Sequence, residues 1–171
     1  MSGTRILGAI LAGGRSSRFG TDKALALHEG RPLIAHVADA LAVQTDSLVI
    51  CGRSWGGHPA LQDHPAPGLG PVGGLCAALQ HGAHHGFSEV LLAPCDLLGI
   101  PVETARTLAP APAVVDGQWL LGLWPVNLLP QLQSLALTEG AVPMRHWIYL
   151  VGARRIPLHG LRNVNRPDDL P

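Results

Sequence analysis

The sequence predicts an α/β protein of three layers, with a mostly parallel sheet, helices on both of its faces and a small antiparallel element. Short apolar runs alternate with helix-like stretches, a pattern that favours a parallel sheet. The dipeptide Asp116-Gly117 separates two apolar runs and is typical of a hairpin, which places an antiparallel pair late in the chain. The 171 residues suit one domain with a sizeable core, so residues 1–171 are expected to fold as a unit.

The individual elements are assigned from the apolar residues, in chain order. Strands are predicted at residues 6–11, 47–51, 90–93, 113–115 and 119–124. Helices are predicted at residues 33–43, 74–80, 102–108, 128–137 and 144–150. In the first helix Leu33, Val37 and Leu41 recur on one face at helical spacing, and Pro32 suits a first helical position.

The composition excludes several classes of protein. Charged residues make up 14% of the chain and the net charge is zero, so no broad nucleic-acid-binding face is expected. No apolar run approaches the ~20 residues that a membrane span requires. The cysteines, Cys51, Cys76 and Cys95, are odd in number and lack a Cys-x-x-Cys spacing, which argues against a disulfide framework and a zinc site. These observations predict a cytoplasmic protein that binds neither nucleic acid nor membrane.

A glycine-rich basic segment runs from Leu11 to Lys23, directly after the first predicted strand. Glycines allow the backbone to approach a ligand closely, and successive backbone N–H groups in such a loop form an anion-binding concavity. Arg18 and Lys23 add positive charge where a triphosphate would lie. The segment is therefore predicted to cradle phosphate.

Two better-known phosphate motifs do not account for this segment. It is not a P-loop, because Gly20 is followed by Thr21 and Asp22 rather than by lysine and a hydroxyl residue. A dinucleotide fingerprint occurs at residues 68–73, but the prolines before it exclude the strand that the fingerprint must follow. A Rossmann dehydrogenase is therefore not expected.

Three aspartates are expected at one edge of the predicted sheet, because ligands of open α/β sheets bind beyond the carboxyl ends of the strands. They are Asp22, Asp63 and Asp96. Asp96 ends the most apolar run and is the predicted Mg²⁺ ligand, since Mg²⁺ binds through one or two carboxylates together with substrate phosphates and water. Asp63 lies in the proline-rich loop before Gly68 and carries a carboxylate that could accept hydrogen bonds from a nucleotide base.

Four segments, in this order, resemble the nucleotidyltransferases and most closely the molybdenum cofactor guanylyltransferase family. They are the loop Leu-Ala-Gly-Gly-x-x-x-Arg-Phe-Gly-x-Asp-Lys at 11–23, Gly-Leu-Gly-Pro-Val-Gly-Gly at 68–74, Pro-Cys-Asp at 94–96 and Asn-Val-Asn-Arg-Pro-Asp-Asp-Leu at 163–170. The resemblance spans almost the whole chain. It implies a Rossmann-like nucleotidyltransferase sheet and the Mg²⁺-dependent transfer of GMP from GTP to molybdopterin, with release of pyrophosphate.

The resemblance also implies roles for particular residues. Those implied to bind the nucleotide are Leu11, Ala12, Gly13, Gly14, Lys23, Asp63 and Asp96. The catalytic residues would be Arg18, Lys23 and Asp96, with Asp96 also the metal ligand. The molybdopterin side would include Gly73, Asn163 and Asn165. Implied partners are molybdenum-insertion and molybdoenzyme-maturation proteins, and the chain is expected to be a monomer.

The sequence departs from the family at one nucleotide contact, because Cys51 stands where many relatives have an asparagine. Two other functions therefore stay open. One is a transferase of the same fold with another acceptor or base, such as a cytidylyl or sugar-phosphate enzyme. The other is a catalytically weak nucleotide-binding protein that serves molybdoenzymes.

Overall fold

A computed structural model describes residues 3–14, 22–165 and 169 of the chain. The strands in this part of the chain are β1 (Ile6–Leu11), β2 (Leu27–His28), β3 (Arg31–Pro32), β4 (Ser47–Cys51), β5 (Ala60–Leu61), β6 (Glu89–Pro94), β7 (Leu97–Leu98), β8 (Ala113–Val115), β9 (Gln118–Pro125), β10 (Arg154–Ile156) and β11 (Arg162–Asn163). The helices are α1 (Leu33–Ala42), α2 (Gly70–His84), α3 (Thr104–Leu108), α4 (Leu129–Glu139) and α5 (Met144–Val151). Single 3₁₀ turns lie at Lys23–Leu25 and Val126–Leu128.

The main sheet has seven strands in the order β10-β8-β9-β6-β1-β4-β5. Strand β1 lies between β4 and β6 and runs parallel to both. Only β9 runs against its neighbours, pairing antiparallel with β6 and β8. The turn between β8 and β9 is Asp116-Gly117, as the hairpin signal predicted. Strands β1, β4 and β6 are parallel, so the loops that follow them lie at the same edge of the sheet.

The helices cover both faces of the sheet, so the predicted three-layer fold is confirmed. Successive residues of β1 alternate between the two cores, with Leu7 and Ala9 on one side and Ile10 on the other, as the period of a strand requires. One core joins the sheet to α2, α4 and α5. The other joins it to α1 and α3. No helix in the described part of the chain is both long and apolar enough to cross a bilayer.

The main departure from the predicted elements is α2, which begins at Gly70 rather than at residue 74 and ends at His84 rather than at 80. Its glycines look like helix breakers in the sequence, but Gly73, Gly74 and Gly82 are buried where the helix packs closely against its neighbours. Pro71 is in the first turn of this helix, where a missing N–H has no consequence. As a result the start of α2 lies at the edge of the sheet that the glycine-rich loop also occupies.

Candidate active site

A cleft of about 690 Å³ lies at the carboxyl ends of β1, β4 and β6. This is the point where the sheet order changes direction, and open α/β sheets bind ligands there. The cleft is lined by the end of β1 and the loop after it, the end of β4, the segment leading into α2, the turn after β6 and one residue of β9. Its polar and charged side chains are Lys23, Gln62, Asp63 and Asp96.

The end of β1 is held on both sides by backbone hydrogen bonds. The N–H of Ala12 donates to the carbonyl of Cys51 at 2.9 Å, and the N–H of Cys95 donates to the carbonyl of Leu11 at 3.0 Å. Leu11 lines the cleft, whereas Ala12 is buried. These bonds fix the position from which the glycine-rich loop leaves the sheet.

Gly13 and Gly14 line the cleft immediately beyond that point, and Gly14 has a left-handed φ of +100°. Gly52, after β4, lies directly against this loop. It has a φ of +97°, and a Cβ there would lie 2.6 Å from the backbone nitrogen of Gly13. Only glycine allows the two strand ends to pass so closely. The predicted catalytic Arg18 lies outside the described residues.

The predicted residues Lys23 and Asp96 meet in the cleft. The ammonium of Lys23 lies 2.5 Å from Oδ2 of Asp96, and the two side chains are 24% and 14% exposed. Lys23 also donates to Oδ1 of Asn165 at 3.4 Å. The structure thus brings together three residues that are widely separated in the chain, all of which the sequence assigned to the site.

Asp22, which was expected to project toward this edge, instead supports the turn that carries Lys23. Its Oδ1 accepts from the backbone N–H of Ala24 at 3.2 Å and caps the 3₁₀ turn. Its Oδ2 pairs with Nη2 of Arg53 at 2.6 Å. Arg53 was missed by the sequence analysis, although its place two residues after a predicted strand is a signal that the sheet-edge rule could have used.

Asp63 lies on the opposite wall of the cleft, in the segment before α2. Its Oδ2 accepts from the backbone N–H of Leu69 at 3.0 Å. Gly73 is buried behind this carboxylate and does not line the cleft, and a Cβ at Gly73 would lie 2.8 Å from Cγ of Asp63. A glycine at this position therefore makes room for the aspartate.

Asn163 is not among the residues that line the cleft. Its Nδ2 donates to Oε1 of Gln118 at 3.1 Å, and it pairs with Leu97 in the short β7–β11 sheet. The N–H of Val164 donates to the carbonyl of Asp96 at 3.0 Å. Asn163 and its neighbours therefore tie the end of the described chain to the turn that carries Asp96.

Two cysteines border the cleft, and both have thiols that resist ionisation. Burial, and secondarily the charge of Asp63, raises the pKa of Cys51 to about 12. Burial, followed by the charge of Asp96, raises the pKa of Cys95 to about 12, against the opposing effect of Lys23. Neither thiol is poised to act as a nucleophile at neutral pH.

The donor set of the cleft fits a weakly held divalent cation rather than a dedicated metal cage. Within the described ranges no cluster of three or more His, Cys, Asp or Glu side chains could hold a metal. Asp96 supplies one carboxylate beside a loop suited to phosphate. One carboxylate together with phosphates and water is the way Mg²⁺ is bound at nucleotide sites. Asp96 and a nucleoside triphosphate together could therefore hold the ion.

Comparison with known proteins agrees with this geometry. The family model described as MobA-like NTP transferase domain matches residues 8–153. The molybdenum cofactor guanylyltransferase of Rhodobacter capsulatus is 35% identical over 97% of this chain and 93% of its own length.

Two solved structures have the same fold. Molybdopterin-guanine dinucleotide biosynthesis protein A of Archaeoglobus fulgidus superposes with a TM-score of 0.71 at 19% identity, covering 95% of this chain and 94% of its own. A Mycobacterium tuberculosis protein in complex with manganese superposes with a TM-score of 0.64 at 17% identity, covering 97% and 96%.

Proposed function

The chain belongs to the MobA-like NTP transferase family, and from that membership we propose that it transfers GMP from GTP to molybdopterin, releasing pyrophosphate. The observation that carries the proposal is the juxtaposition of Lys23, Asp96 and the glycine-rich strand end in one cleft. A cation, a metal-binding carboxylate and a backbone cradle are the parts that phosphoryl chemistry requires. Catalysis of this kind rests mainly on positioning and on stabilising charge on phosphate oxygens.

The nucleotide would lie along the cleft from the glycine loop to Asp63. The backbone at Leu11–Gly14 approaches the nucleotide closely, and Asp63 accepts from the N1–H and exocyclic amine of guanine. Support for this orientation comes from the bond between Asp63 and the N–H of Leu69, which fixes one carboxylate oxygen. A cytosine base has no matching pair of donors, so Asp63 favours GTP over CTP.

At the other end of the nucleotide, Lys23 and Asp96 would act on the triphosphate. A divalent cation such as Mg²⁺, held by Asp96 and the phosphates, would neutralise negative charge on the reacting groups. Lys23 stabilises charge on the triphosphate and on the departing pyrophosphate, and Arg18 is proposed to assist it. The phosphate of molybdopterin is itself the nucleophile, so no side-chain nucleophile is needed. This agrees with the un-ionised thiol of Cys95 beside Asp96.

For the acceptor, we propose that molybdopterin approaches from the side of Asp96 where Asn163 and Asn165 lie. The contact between Asn165 and Lys23 supports a role for this amide near the triphosphate. Asn163 would act through its bond to Gln118 and its tie to the turn after β6. Gly73 would contribute through the placement of Asp63 rather than by direct contact with molybdopterin.

The proposal is tested by pyrophosphate release from GTP, ATP, CTP and UTP, each with Mg²⁺ and with or without molybdopterin. The expected result is release from GTP only, dependent on molybdopterin and lost in Asp96→Ala. Preference for CTP would favour a cytidylyl enzyme of the same fold. GTP binding without any pyrophosphate release would favour the accessory protein.

A further inference from the structure

We propose that Arg53 is a positioning residue that acts through Asp22 to hold Lys23 on Asp96, so that the lysine occupies the cation position until metal-bound nucleotide displaces it. Arg53 lies outside the four sequence motifs described above. The inference rests on Asp96 as the metal ligand of the proposed function, but it does not depend on the identity of the acceptor. The consequence is that the site binds the metal ion weakly in the absence of nucleotide and tightly in its presence.

The first step is the contact between Arg53 and Asp22. Nη2 of Arg53 lies 2.6 Å from Oδ2 of Asp22, and the arginine side chain is only 25% exposed. Its Nε is buried and has no hydrogen-bond partner among the described residues. The ion pair and the partial burial restrain the guanidinium, and the backbone of Arg53 directly follows Gly52, which lies against the glycine loop. Asp22 is therefore anchored from the end of β4.

The second step is the capped turn. The other oxygen of Asp22, Oδ1, accepts from the N–H of Ala24 at 3.2 Å, and Ala24 is buried. The N–H of Ala26 donates to the carbonyl of Lys23 at 3.2 Å. The turn is only three residues long, so it has little stability of its own and depends on this cap. These contacts hold the backbone from which the Lys23 side chain reaches Asp96.

The third step is competition at Asp96. The ammonium of Lys23 lies 2.5 Å from Oδ2 of Asp96, the carboxylate that is proposed to hold the divalent cation. Two cations beside one carboxylate repel each other, so the ammonium lowers the affinity of Asp96 for the metal ion. A nucleoside triphosphate relieves the repulsion between the lysine and the metal ion. Its phosphates offer Lys23 other hydrogen-bond acceptors and supply further ligands to the ion. Oδ1 of Asn165, 3.4 Å from Nζ, is a second acceptor for Lys23 when the lysine moves away from Asp96.

The test is the affinity for Mn²⁺ in the absence of nucleotide, measured by electron paramagnetic resonance on the full chain. Lys23→Met is expected to bind Mn²⁺ about tenfold more tightly than the unmodified protein, and Asp96→Asn is expected to lose binding. Arg53→Gln is expected to bind more tightly as well, by a smaller factor. The matched control is Arg106→Gln, because Arg106 on α3 is an exposed arginine that pairs with Glu103, the residue before this helix.

Asp22→Ala separates positioning from simple charge. Removing a negative charge near the site should weaken Mn²⁺ binding if only long-range attraction matters. If Asp22 holds Lys23 on Asp96, the same change releases the lysine and binding becomes tighter. A melting curve for each variant establishes that it is folded.

Weaker or unchanged Mn²⁺ binding in Lys23→Met would overturn the proposal. So would unchanged binding in Arg53→Gln together with weaker binding in Asp22→Ala. Failure of the proposed function would give a different result. The variants would then differ in Mn²⁺ affinity as expected, but the unmodified protein would not transfer GMP to molybdopterin.

Discussion

Gly73→Ala is a test of how the fold positions the proposed guanine-binding carboxylate. Gly73 lies inside α2, and its missing side chain leaves the space that Asp63 occupies. A Cβ at this position would lie 2.7 Å from Cβ of Leu69 and 2.8 Å from Cγ of Asp63. The substitution therefore acts on Asp63 from behind and leaves Lys23 and Asp96 untouched.

The size of the effect follows from these distances. Carbon atoms in contact prefer a separation of about 3.5–4.0 Å, so Asp63 or the helix must move by roughly 1 Å. A shift of that size stretches the 3.0 Å bond from Leu69 N–H to Asp63 beyond hydrogen-bonding range. Overpacking of this kind destabilises by about 1–3 kcal/mol, offset by about 1 kcal/mol from the better helix propensity of alanine. Loss of the charged contact to the base should weaken GTP binding by roughly ten- to a hundredfold.

The assay is calorimetric titration of GTP and ATP in Mg²⁺, with a melting curve for each protein. GTP affinity should fall while ATP affinity changes little, because only guanine uses Asp63. Gly82→Ala is the matched control on the same helix, where a new Cβ meets the end of the Val126 side chain at 3.1 Å, away from the cleft. Unchanged GTP affinity in Gly73→Ala, or an equal loss in Gly82→Ala, would refute the reasoning.

Three further predictions concern other parts of the cleft. Asp63→Asn should lower GTP affinity by about tenfold and leave ATP affinity unchanged in the same titration, because an amide cannot accept from both guanine donors. Gly52→Ala should lower the melting temperature and nucleotide affinity together, because its Cβ would lie 2.6 Å from the nitrogen of Gly13. Gly117→Ala shares the left-handed φ but has open space around it, so it should retain nucleotide affinity. Iodoacetamide should alkylate Cys95 at pH 8 at least about a hundredfold more slowly than free cysteine, because burial raises the pKa of this thiol to about 12 and leaves it protonated.

Each of these predictions has an outcome that would contradict it. Equal losses of GTP and ATP affinity in Asp63→Asn would mean that the carboxylate does not contact the base. A Gly52→Ala protein that binds nucleotide normally would show that the close approach of the two loops is dispensable. Alkylation of Cys95 at the rate of free cysteine would contradict the raised pKa of this thiol, since the alkylation rate should rise only as the pH approaches that pKa.

Local patterns in the sequence were sufficient to predict the central strands and the three-layer fold. The runs that form β1, β4 and β8 were assigned with the bounds that the structure shows. The short strands β5 and β10, of two and three residues, were missed. They are strands because they pair with β4 and β8, and their own residues show no strand pattern. The early start of α2 was missed because its buried glycines look like breakers when their packing partners are unknown.

Site residues could be predicted from the sequence where the residue type and its position after a strand indicate its chemistry. They could not be predicted where the role depends on a contact between distant segments of the chain. Lys23 and Asp96 stand out as a cation after a glycine loop and a carboxylate after an apolar strand, and they meet in the cleft. Arg53 and Gly52 are ordinary residues in the sequence. They gain significance only because the end of β4 lies beside the glycine loop and the capped turn.

The most direct test of the central claim is identification of the product formed from GTP labelled at the α-phosphate, Mg²⁺ and molybdopterin. We expect label to appear in molybdopterin guanine dinucleotide with an equal amount of unlabelled pyrophosphate, and we expect Lys23→Met and Asp96→Ala to abolish it. Undiminished product formation in Asp96→Ala, or no labelled dinucleotide with the unmodified protein, would contradict the account.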